Sequence, residues 1–340
     1  MRILLLLTMF CFASLLSIAQ EKAEMPNLRD PEVLKKIISE AVELKMFIKA
    51  DGSYQFSKIN ELTPFNGNGW GVTYWEKGKI NSLWQFKNGK LNGWNFGWHL
   101  NGKGSQKGTF KDGKPEGLCT RWYDNGQKKE EINYKDGKAN GLQTSWYENG
   151  QKEIVSHCKD GDPHGPHNQW YDNGLKMEEG NFKDGKMNGV STGWYKNGQK
   201  HFELNLEEGK PNGLQINWYD NGEKKFEENY KNGNLHGHCT YFYKNGPKEE
   251  DVNYKDGKKD GPSNVWYESG QKEEERNLKE DKLDGLYTWW FENGQKKAEA
   301  NYKEGKLDGL YTWWFENGQK KAEANYKEGE RIGETKLFPR

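Results

Sequence analysis

The chain has 340 residues with 51 basic and 51 acidic side chains, so its formal net charge is zero. Without a field of one sign to attract polyanions, nucleic acid is not expected as a partner. Hydrophobic residues make up 33% and aromatic residues 14% of the chain, and there are 41 glycines. This composition has too few aliphatic residues for a thick globular core and too many aromatic residues for a disordered chain.

The first predicted element is a leader. Arg2 precedes an apolar run from Ile3 to Leu16, which ends in the small-x-small sequence Ser17-Ile18-Ala19. This order is typical of a secretory signal peptide, so we predict a signal peptide at residues 1–19. A retained membrane anchor is the alternative, but the run is short for a span. The mature chain is therefore expected to be exported, to a periplasmic, extracellular or envelope-associated location.

The segment after the leader is predicted to cap the remainder of the chain. Residues 20–29 are expected to form a flexible linker. Asp30-Pro31 combines an N-cap residue with proline at the first helical position, and apolar residues then recur on one side. We therefore predict an amphipathic helix over residues 30–50 and a connecting or capping segment over residues 51–68.

Internal repetition dominates the remaining sequence. Glycines recur every 24 residues in three registers, and the first register runs from Gly69 to Gly333. Each period has an alternating run that ends near Asn-Gly and a return run that ends near Lys-Asp-Gly, which predicts two antiparallel strands. The predicted fold class is all-β, an elongated single-layer antiparallel sheet of about eleven 24-residue hairpins over residues 69–332. A C-terminal capping strand is predicted at residues 333–340.

The register of each hairpin follows from how it sorts apolar and polar side chains between the two faces. A three-residue loop over residues 124–126, with Gly126 as a left-handed bulge, separates apolar from polar residues in nearly every period. On that register the expected core face of one period carries Leu118, Trp122, Ile132 and Tyr134. The tryptophans repeated from Trp98 to Trp314 would then form a buried ladder, flanked by aromatic rings of the return strands.

A row of aromatic rings on the opposite face is the predicted partner-binding surface. Rigid amphipathic rings suit protein recognition. The competing interpretation is that these rings cover the hairpins and brace the turns. The candidate residues are Tyr123, Tyr147, Tyr171, Tyr195, Tyr219, Tyr243 and Tyr267.

The repeated unit resembles a known family. Its sequence, Gly-Leu-x-Thr-x-Trp-Tyr-x-Asn-Gly-Gln-Lys followed by Asn-Tyr-Lys-Asp-Gly-Lys, resembles the MORN repeat in its bacterial variant form. The chain is also similar to the YwqK family of predicted toxin-antitoxin antitoxins. The resemblance covers Gly69 to Gly333. It implies a single-layer sheet of hairpins that serves as a scaffold for protein contacts, with membrane or lipid contact also proposed for such repeats.

Catalytic or metal-binding residues are expected where the repeat is broken, because residues shared by every period hold the backbone. His157, His164 and His167 form the densest departure, but their spacing matches no known metal motif. The cysteines that remain after the leader are odd in number and scattered, which argues against a disulfide framework. We therefore predict no enzyme activity, no cofactor and no metal site.

The predicted function is a non-enzymatic exported scaffold for protein-protein interaction, including the role of antitoxin or immunity partner of an exported toxin. The first alternative is a cell-wall or carbohydrate-binding repeat protein. A membrane- or lipid-associated scaffold ranks below it. Homodimerisation is a further option, since a single-layer sheet leaves part of its apolar face uncovered.

Overall fold

The computed structural model describes residues 25–48, 54–58, 65–76 and 78–339. The predicted signal peptide at residues 1–19 lies outside these residues. The chain divides into two compact units, an N-terminal unit of residues 1–141 and a C-terminal unit of residues 142–340. Within the described ranges, no helix has the length and apolarity that crossing a bilayer requires.

The described part of the N-terminal unit contains helix α1 and a series of strands. Helix α1 spans Pro31–Glu40. The strands are β1 (Val42–Ile48), β2 (Tyr54–Lys58), β3 (Gly69–Tyr74), β4 (Ile80–Lys87), β5 (Lys90–Trp98), β6 (Gly104–Lys111), β7 (Lys114–Pro115), β8 (Gly117–Trp122), β9 (Lys128–Lys135) and β10 (Lys138–Trp146), which continues past the unit boundary.

The C-terminal unit continues the same alternation of strands. They are β11 (Lys152–Lys159), β12 (Asp162–Trp170), β13 (Lys176–Lys183), β14 (Lys186–Met187), β15 (Gly189–Trp194), β16 (Lys200–Glu207), β17 (Lys210–Pro211), β18 (Gly213–Trp218), β19 (Lys224–Lys231), β20 (Asn234–Leu235), β21 (Gly237–Phe242), β22 (Lys248–Lys255), β23 (Lys258–Trp266), β24 (Lys272–Lys279), β25 (Lys282–Leu283), β26 (Gly285–Trp290), β27 (Lys296–Lys303), β28 (Lys306–Trp314), β29 (Lys320–Lys327) and β30 (Glu330–Leu337). In both units the repeats form antiparallel hairpins, as the sequence predicted.

The predicted helix is shorter than its sequence pattern suggested. The Asp30 side chain accepts a hydrogen bond from the Glu32 amide at 2.9 Å, which is the expected N-cap. However, α1 ends at Glu40, and Val42–Ile48 forms strand β1. The reason is that apolar and charged residues alternate with a period of two from Val42 to Lys45, which suits a strand with one buried side.

The segment after α1 forms a hairpin that caps the N-terminal unit. Strand β2 pairs antiparallel with β1, and β1 lies parallel to β3 through Val42 and Gly71. At the other end of the chain the final strand starts at Glu330 rather than at residue 333. It pairs with β29, so the last hairpin partner begins directly after the preceding turn.

The turn near Asn-Gly has the predicted three-residue form. The Tyr123 amide donates to the Gln127 carbonyl at 2.9 Å, and the Gly126 amide donates to the Tyr123 carbonyl at 2.9 Å. Gly126 has a φ of 93°, in the left-handed region. These contacts describe a type I turn followed by a left-handed glycine, and they confirm the predicted loop.

The turn near Lys-Asp-Gly is a two-residue loop. Lys111 pairs with Lys114, which leaves Asp112 and Gly113 as the loop. Both loop residues have positive φ, 51° and 87°. This is the signature of a type I′ turn, whose twist matches that of the flanking strands, and Asp is one of the few residues that tolerates its first position.

A bulge in the return strand changes the predicted faces. Trp122 lies opposite Lys128, but the next pair is Arg121 with Glu130, so Lys129 is an extra residue. An extra residue on one strand turns every following side chain to the other face.

The predicted core face was therefore wrong. Ile132 lies opposite Cys119, and Tyr134 lies opposite Gly117, whereas Leu118 lies opposite Asn133. Residues opposite each other share a face, so Leu118 and Trp122 are on one face and Ile132 and Tyr134 are on the other.

The two faces of a hairpin have different compositions. The ladder face carries residues that recur in most periods, and in the hairpin from Gly285 they are Leu286, Thr288, Trp290, Lys296, Glu299 and Asn301. The variable face carries residues that change between periods, and in the same hairpin they are Tyr287, Trp289, Ala298, Ala300 and Tyr302. The ladder face and the variable face consist of the equivalent positions in each hairpin.

The hydrophobic core lies on the variable face of the N-terminal unit, beneath the cap hairpin β1–β2. The Phe56 ring lies 5.2 Å from the Trp84 ring and 5.1 Å from the Phe86 ring, between centroids. Trp84 is only 2% exposed. The buried cluster consists of Leu44, Phe56, Phe65, Trp84, Phe86 and Leu91. The cap hairpin therefore covers this cluster. On the other face of β3 and β4, Val72 and Leu83 lie opposite each other and are 0–1% exposed.

Candidate functional site

The predicted partner-binding tyrosines brace successive turns. In the C-terminal unit, each hydroxyl donates to the backbone carbonyl of the residue 23 positions later, at 2.7–3.0 Å. The donors are Tyr147, Tyr171, Tyr195, Tyr219, Tyr243 and Tyr267. These rings and that of Tyr123 are half-buried rather than exposed. Their role in partner binding stays a prediction, and their structural role is visible.

The asparagines of the same turns form a second ladder. Asn149 Nδ2 donates to the Asp172 carbonyl at 2.7 Å, and Asn197 Nδ2 donates to the Asp220 carbonyl at 2.8 Å. The Oδ1 atom of Asn197 also accepts the Gln199 amide at 3.0 Å, within its own turn. Asn in this position thus satisfies backbone groups of two consecutive turns, which explains its repetition.

The tryptophan row on the ladder face lies between lysines. Lys200 Nζ is 5.3 Å from the Trp218 ring centroid, and Lys272 Nζ is 5.6 Å from that of Trp290. Lys200 also pairs with Glu203 at 2.8 Å. Because this arrangement recurs from hairpin to hairpin, the ladder face is a uniform surface of half-buried indoles and paired charges.

Variation between hairpins is concentrated on the variable face. Two residues after the first-register glycine, the C-terminal unit has Gln143, His167, Ser191, Gln215, Cys239, Ser263, Tyr287 and Tyr311. The next residue, on the ladder face, is threonine in most hairpins: Thr144, Thr192, Thr240, Thr288 and Thr312, all buried. Residues that recur in most hairpins maintain the hairpin structure. Residues that differ between hairpins are therefore the candidates for a binding site. This face was not identified from sequence, because the Lys129 bulge that exchanges the faces is visible only in the strand pairing.

One part of the variable face is a network of charges. Arg276 Nη2 lies 2.7 Å from Glu250 Oε1, and Arg276 Nη1 lies 2.7 Å from Glu274 Oε2. Glu250 also pairs with Lys259 at 2.6 Å. Burial alone would raise the pKa of Glu250, but the bonds from Lys259 and Arg276 outweigh it and hold the pKa below its usual value.

A second polar group lies next to this network along the chain. Glu228 accepts hydrogen bonds from the Tyr230 hydroxyl at 2.8 Å and from the Tyr241 hydroxyl at 2.9 Å. Burial and this carboxylate raise the pKa of both tyrosines. The hydroxyls therefore stay protonated and act as donors, not as general bases.

The last hairpins carry an aromatic patch on the variable face. Tyr311 stacks on Trp313 with ring centroids 3.9 Å apart, and Tyr287 stacks on Trp289 at 6.4 Å. Alanines on the intervening strand are 2–5% exposed beneath the rings. The aromatic patch consists of Tyr287, Trp289, Tyr302, Tyr311, Trp313 and Tyr326.

The N-terminal unit has a concavity on its variable face, next to the cap hairpin. Its volume is about 640 Å³, and its lining includes Phe56, Trp84, Phe110, Cys119, Arg121, Glu130 and Ile132. Arg121 and Glu130 form an ion pair at 3.1 Å, and Arg121 is more than half exposed. Burial raises the pKa of the Cys119 thiol, so it is not an activated nucleophile.

The three candidate metal-binding histidines do not converge. His167 lies opposite Ser156, so both side chains are on the variable face. Successive residues of a strand point to opposite faces, so His157, which follows Ser156, is on the ladder face. His164 faces Asp184 at 3.7 Å, and burial lowers the pKa of His167. Within the described ranges, no group of three His, Cys, Asp or Glu side chains could hold a metal ion.

The comparisons with known proteins identify the repeat. A family model described as "MORN repeat variant" matches residues 115–136, 139–159, 211–232, 235–256, 283–304 and 307–328. Hairpins outside these segments use the same turn, since the Tyr195 amide donates to the Gln199 carbonyl at 2.8 Å. No curated protein matches the chain.

Solved structures with some likeness are much larger chains. The crystal structure of TcdB2-TccC3-Cdc42 is 11% identical, with a TM-score of 0.18, and the match covers 85% of this chain and 18% of that chain. The crystal structure of TcdB2-TccC3 is 10% identical, with a TM-score of 0.17 and the same coverage. This chain spans less than a fifth of their length, and the likeness carries no argument about function. The chain is a β-hairpin repeat protein, and six of its segments match the model of the MORN repeat variant.

Proposed function

We propose that this protein is a non-enzymatic scaffold that binds another protein on the variable face of its C-terminal unit. The observation that supports the proposal is that one face is the same in successive hairpins and the other is not. The ladder face and the turns repeat the same contacts from hairpin to hairpin, whereas the variable face changes from a charged network around Arg276 to the aromatic patch. A surface with Tyr, Trp and Arg in distinct places has the composition of a protein interface.

The proposed setting is the cell envelope or the exterior. The leader at residues 1–19 supports export, and the resemblance to predicted antitoxins supports an exported toxin as the partner. In that role the scaffold would act as an immunity protein, which neutralises the toxin where both are exported. Binding would need no catalytic residues, in agreement with tyrosines and carboxylates that hydrogen-bond one another on the variable face.

The test is capture of a partner by the mature chain from an extract of its own cell envelope, with two matched variants. Trp289→Ala with Trp313→Ala alters the aromatic patch, and Tyr171→Phe with Tyr195→Phe removes only turn-bracing hydroxyls. We expect one stoichiometric protein to be retained by the native chain and the turn variant and lost by the patch variant. Equal retention by both variants, or retention of glycan without protein, would refute the proposal.

A further inference from the structure

We propose that the protein forms a homodimer in which strand β30 pairs antiparallel with β30 of a second copy, about a two-fold axis at Thr335. Strand β30 has one open side, because among the described residues it pairs only with β29. No residue of the aromatic patch lies on β30, so this dimer goes beyond the proposed function and does not depend on it.

The open side of β30 has backbone groups in position to pair. The Phe338 amide donates to the Lys321 carbonyl of β29 at 3.1 Å, so the backbone groups of Phe338 point toward β29. Alternate residues of a strand direct these groups to opposite sides, so those of Leu337, Thr335 and Gly333 point outward. The equivalent residues of β28 use the same side to pair with β29: Gly309, Tyr311 and Trp313. Strand β30 therefore has the pairing edge of every preceding hairpin.

The order of charges on β30 selects a second copy as the partner. Lys336 lies on the ladder face opposite Glu323 of β29, but that carboxylate pairs with Lys320. In an antiparallel pair centred on Thr335, Glu334 of each copy lies opposite Lys336 of the other. Opposite charges across two strands are favourable, and like charges are unfavourable.

The same charges exclude the neighbouring registers. A shift of two residues keeps the outward backbone groups paired, but it places the two Glu334 side chains opposite each other in one direction and the two Lys336 side chains in the other. A shift of one residue would oppose outward and inward backbone groups. Charges on an open edge discourage pairing with most strands, so the alternation of Glu334 and Lys336 favours a strand with the matching order, which a second copy supplies.

Apolar residues flank the charged pairs in this register. Ile332 lies opposite Phe338 of the other copy on the ladder face, and Leu337 lies opposite Gly333 on the variable face. In the single chain Ile332 is 54% exposed and Leu337 is 74% exposed, the highest value among the large apolar side chains described. Burial of these two side chains supplies a gain in free energy that exposed ion pairs lack.

The interface is limited to one strand of eight residues, Glu330–Leu337, and the residues that follow it. Interfaces that bury less than about 1,200 Å² are typical of weak and transient complexes. The dimer should therefore dissociate on dilution, and its charged pairs determine the register more than the affinity.

The test is sedimentation equilibrium of the full mature chain over a series of concentrations. Glu334→Lys puts a lysine opposite Lys336 of the other copy, and Lys336→Glu puts a glutamate opposite Glu334. We expect each variant alone to raise the dissociation constant of the dimer at least about tenfold. An equimolar mixture of the two variants should dimerise again, because every charge then meets its opposite. Glu292→Lys makes the same charge change in an exposed turn away from β30, and it should dimerise like the native chain.

A disulfide tests the register directly. The Cα atoms of the two Thr335 residues would form a hydrogen-bonded pair about 5.5 Å apart, which a disulfide can span. Thr335→Cys should therefore give a covalent dimer in air that the native chain does not form. Glu334→Cys is the matched control, because the two Glu334 positions are offset along the strands by two residues and should not be linked.

Four results would each overturn the inference. The first is a native chain that stays monomeric at every concentration, and the second is dimerisation of either single charge variant as tight as that of the native chain. The third is a mixture of the two variants that stays monomeric. The fourth is a covalent dimer of Glu334→Cys with none of Thr335→Cys, which would establish a different register.

Discussion

In the N-terminal unit, Trp84 faces Gly71 across the hairpin, whereas the equivalent pair in the C-terminal unit is Ala300 with Tyr287. The large residue is on the return strand in the N-terminal hairpin and on the first strand in the C-terminal hairpin. A side chain at Gly71 would collide with Leu44 of the cap hairpin, since an added Cβ would lie 2.3 Å from Leu44 Cδ1. In the hairpin from Gly285, the same position holds Tyr287. The comparison teaches that one repeat can place either a buried core or an aromatic surface on the same face, depending on what covers it.

The largest expected effect is the loss of the covered indole. Trp84→Ala should destabilise the N-terminal unit by about 3–5 kcal/mol, because it leaves a cavity beneath Phe56 and Phe86. Hydrogen exchange of the full chain, followed by mass spectrometry, should show faster exchange over residues 65–110. Trp289→Ala is the matched variant on the open face, and it should cost about 1–2 kcal/mol, in line with its partial burial. Equal costs would contradict the distinction between covered and open faces.

The ion pairs on the variable faces of the two units differ in how exposed their arginines are. Arg276→Ala should destabilise the C-terminal unit by about 1–3 kcal/mol, because it leaves Glu250 and Glu274 without their shared cation. Arg121→Ala in the N-terminal unit breaks a pair whose arginine side chain is 55% exposed, and it should cost less than about 0.5 kcal/mol. Urea denaturation of both variants measures the difference. A larger cost for Arg121→Ala would show that the network around Arg276 is not structural.

The same network predicts a dependence of stability on pH. The pKa of Glu250 is lowered in the folded protein, so the unfolded chain binds the proton more readily. The stability that Glu250 contributes is present above its unfolded pKa, about 4.3, and is lost as the pH falls through the lowered folded value. Glu250→Gln should be less stable than the native chain at neutral pH. Thermal unfolding at a series of pH values should show the two curves converging in acid, and parallel curves would exclude this linkage.

The smallest expected effect is at the turns. Tyr195→Phe removes the hydroxyl that donates to the Trp218 carbonyl at 2.7 Å, and it should cost about 0.5–1.5 kcal/mol. Tyr311→Phe removes a hydroxyl from the aromatic patch instead, and it serves as the control. If Tyr195→Phe has no effect on thermal unfolding, the tyrosine row does not brace the turns, and its predicted role as a binding surface regains priority.

Local chemistry explains which elements were predictable. The turn at residues 124–126 follows from the need for a left-handed glycine, and the Asp112-Gly113 loop follows from the two positive φ angles of a type I′ turn. Each turn is therefore specified by residues within the turn itself. By contrast, the end of α1 at Glu40 depends on the pairing of β1 with β2 and β3, which are distant in sequence.

The candidate site was missed for a related reason. The bulge at Lys129 has no special residue to mark it, because lysine is common throughout the return strands. Its effect is nevertheless large, since one extra residue exchanges the faces of Ile132 and Tyr134 relative to Trp122. The tyrosine row repeats from hairpin to hairpin, whereas the proposed site lies where the residues differ between hairpins.

The sequence by itself determined the repeat, its hairpins and the two kinds of turn, because glycine, asparagine and aspartate impose local backbone geometry that no tertiary contact has to supply. Only the tertiary structure decided which face each aromatic ring occupies and what covers it. The face that a ring occupies depends on strand pairing at the bulge. The cover is supplied by strands β1 and β2, from which Leu44 packs in the same cluster as the distant ring of Phe86. Local residue preferences encode neither: no residue type marks the bulge, and the cover is a long-range contact.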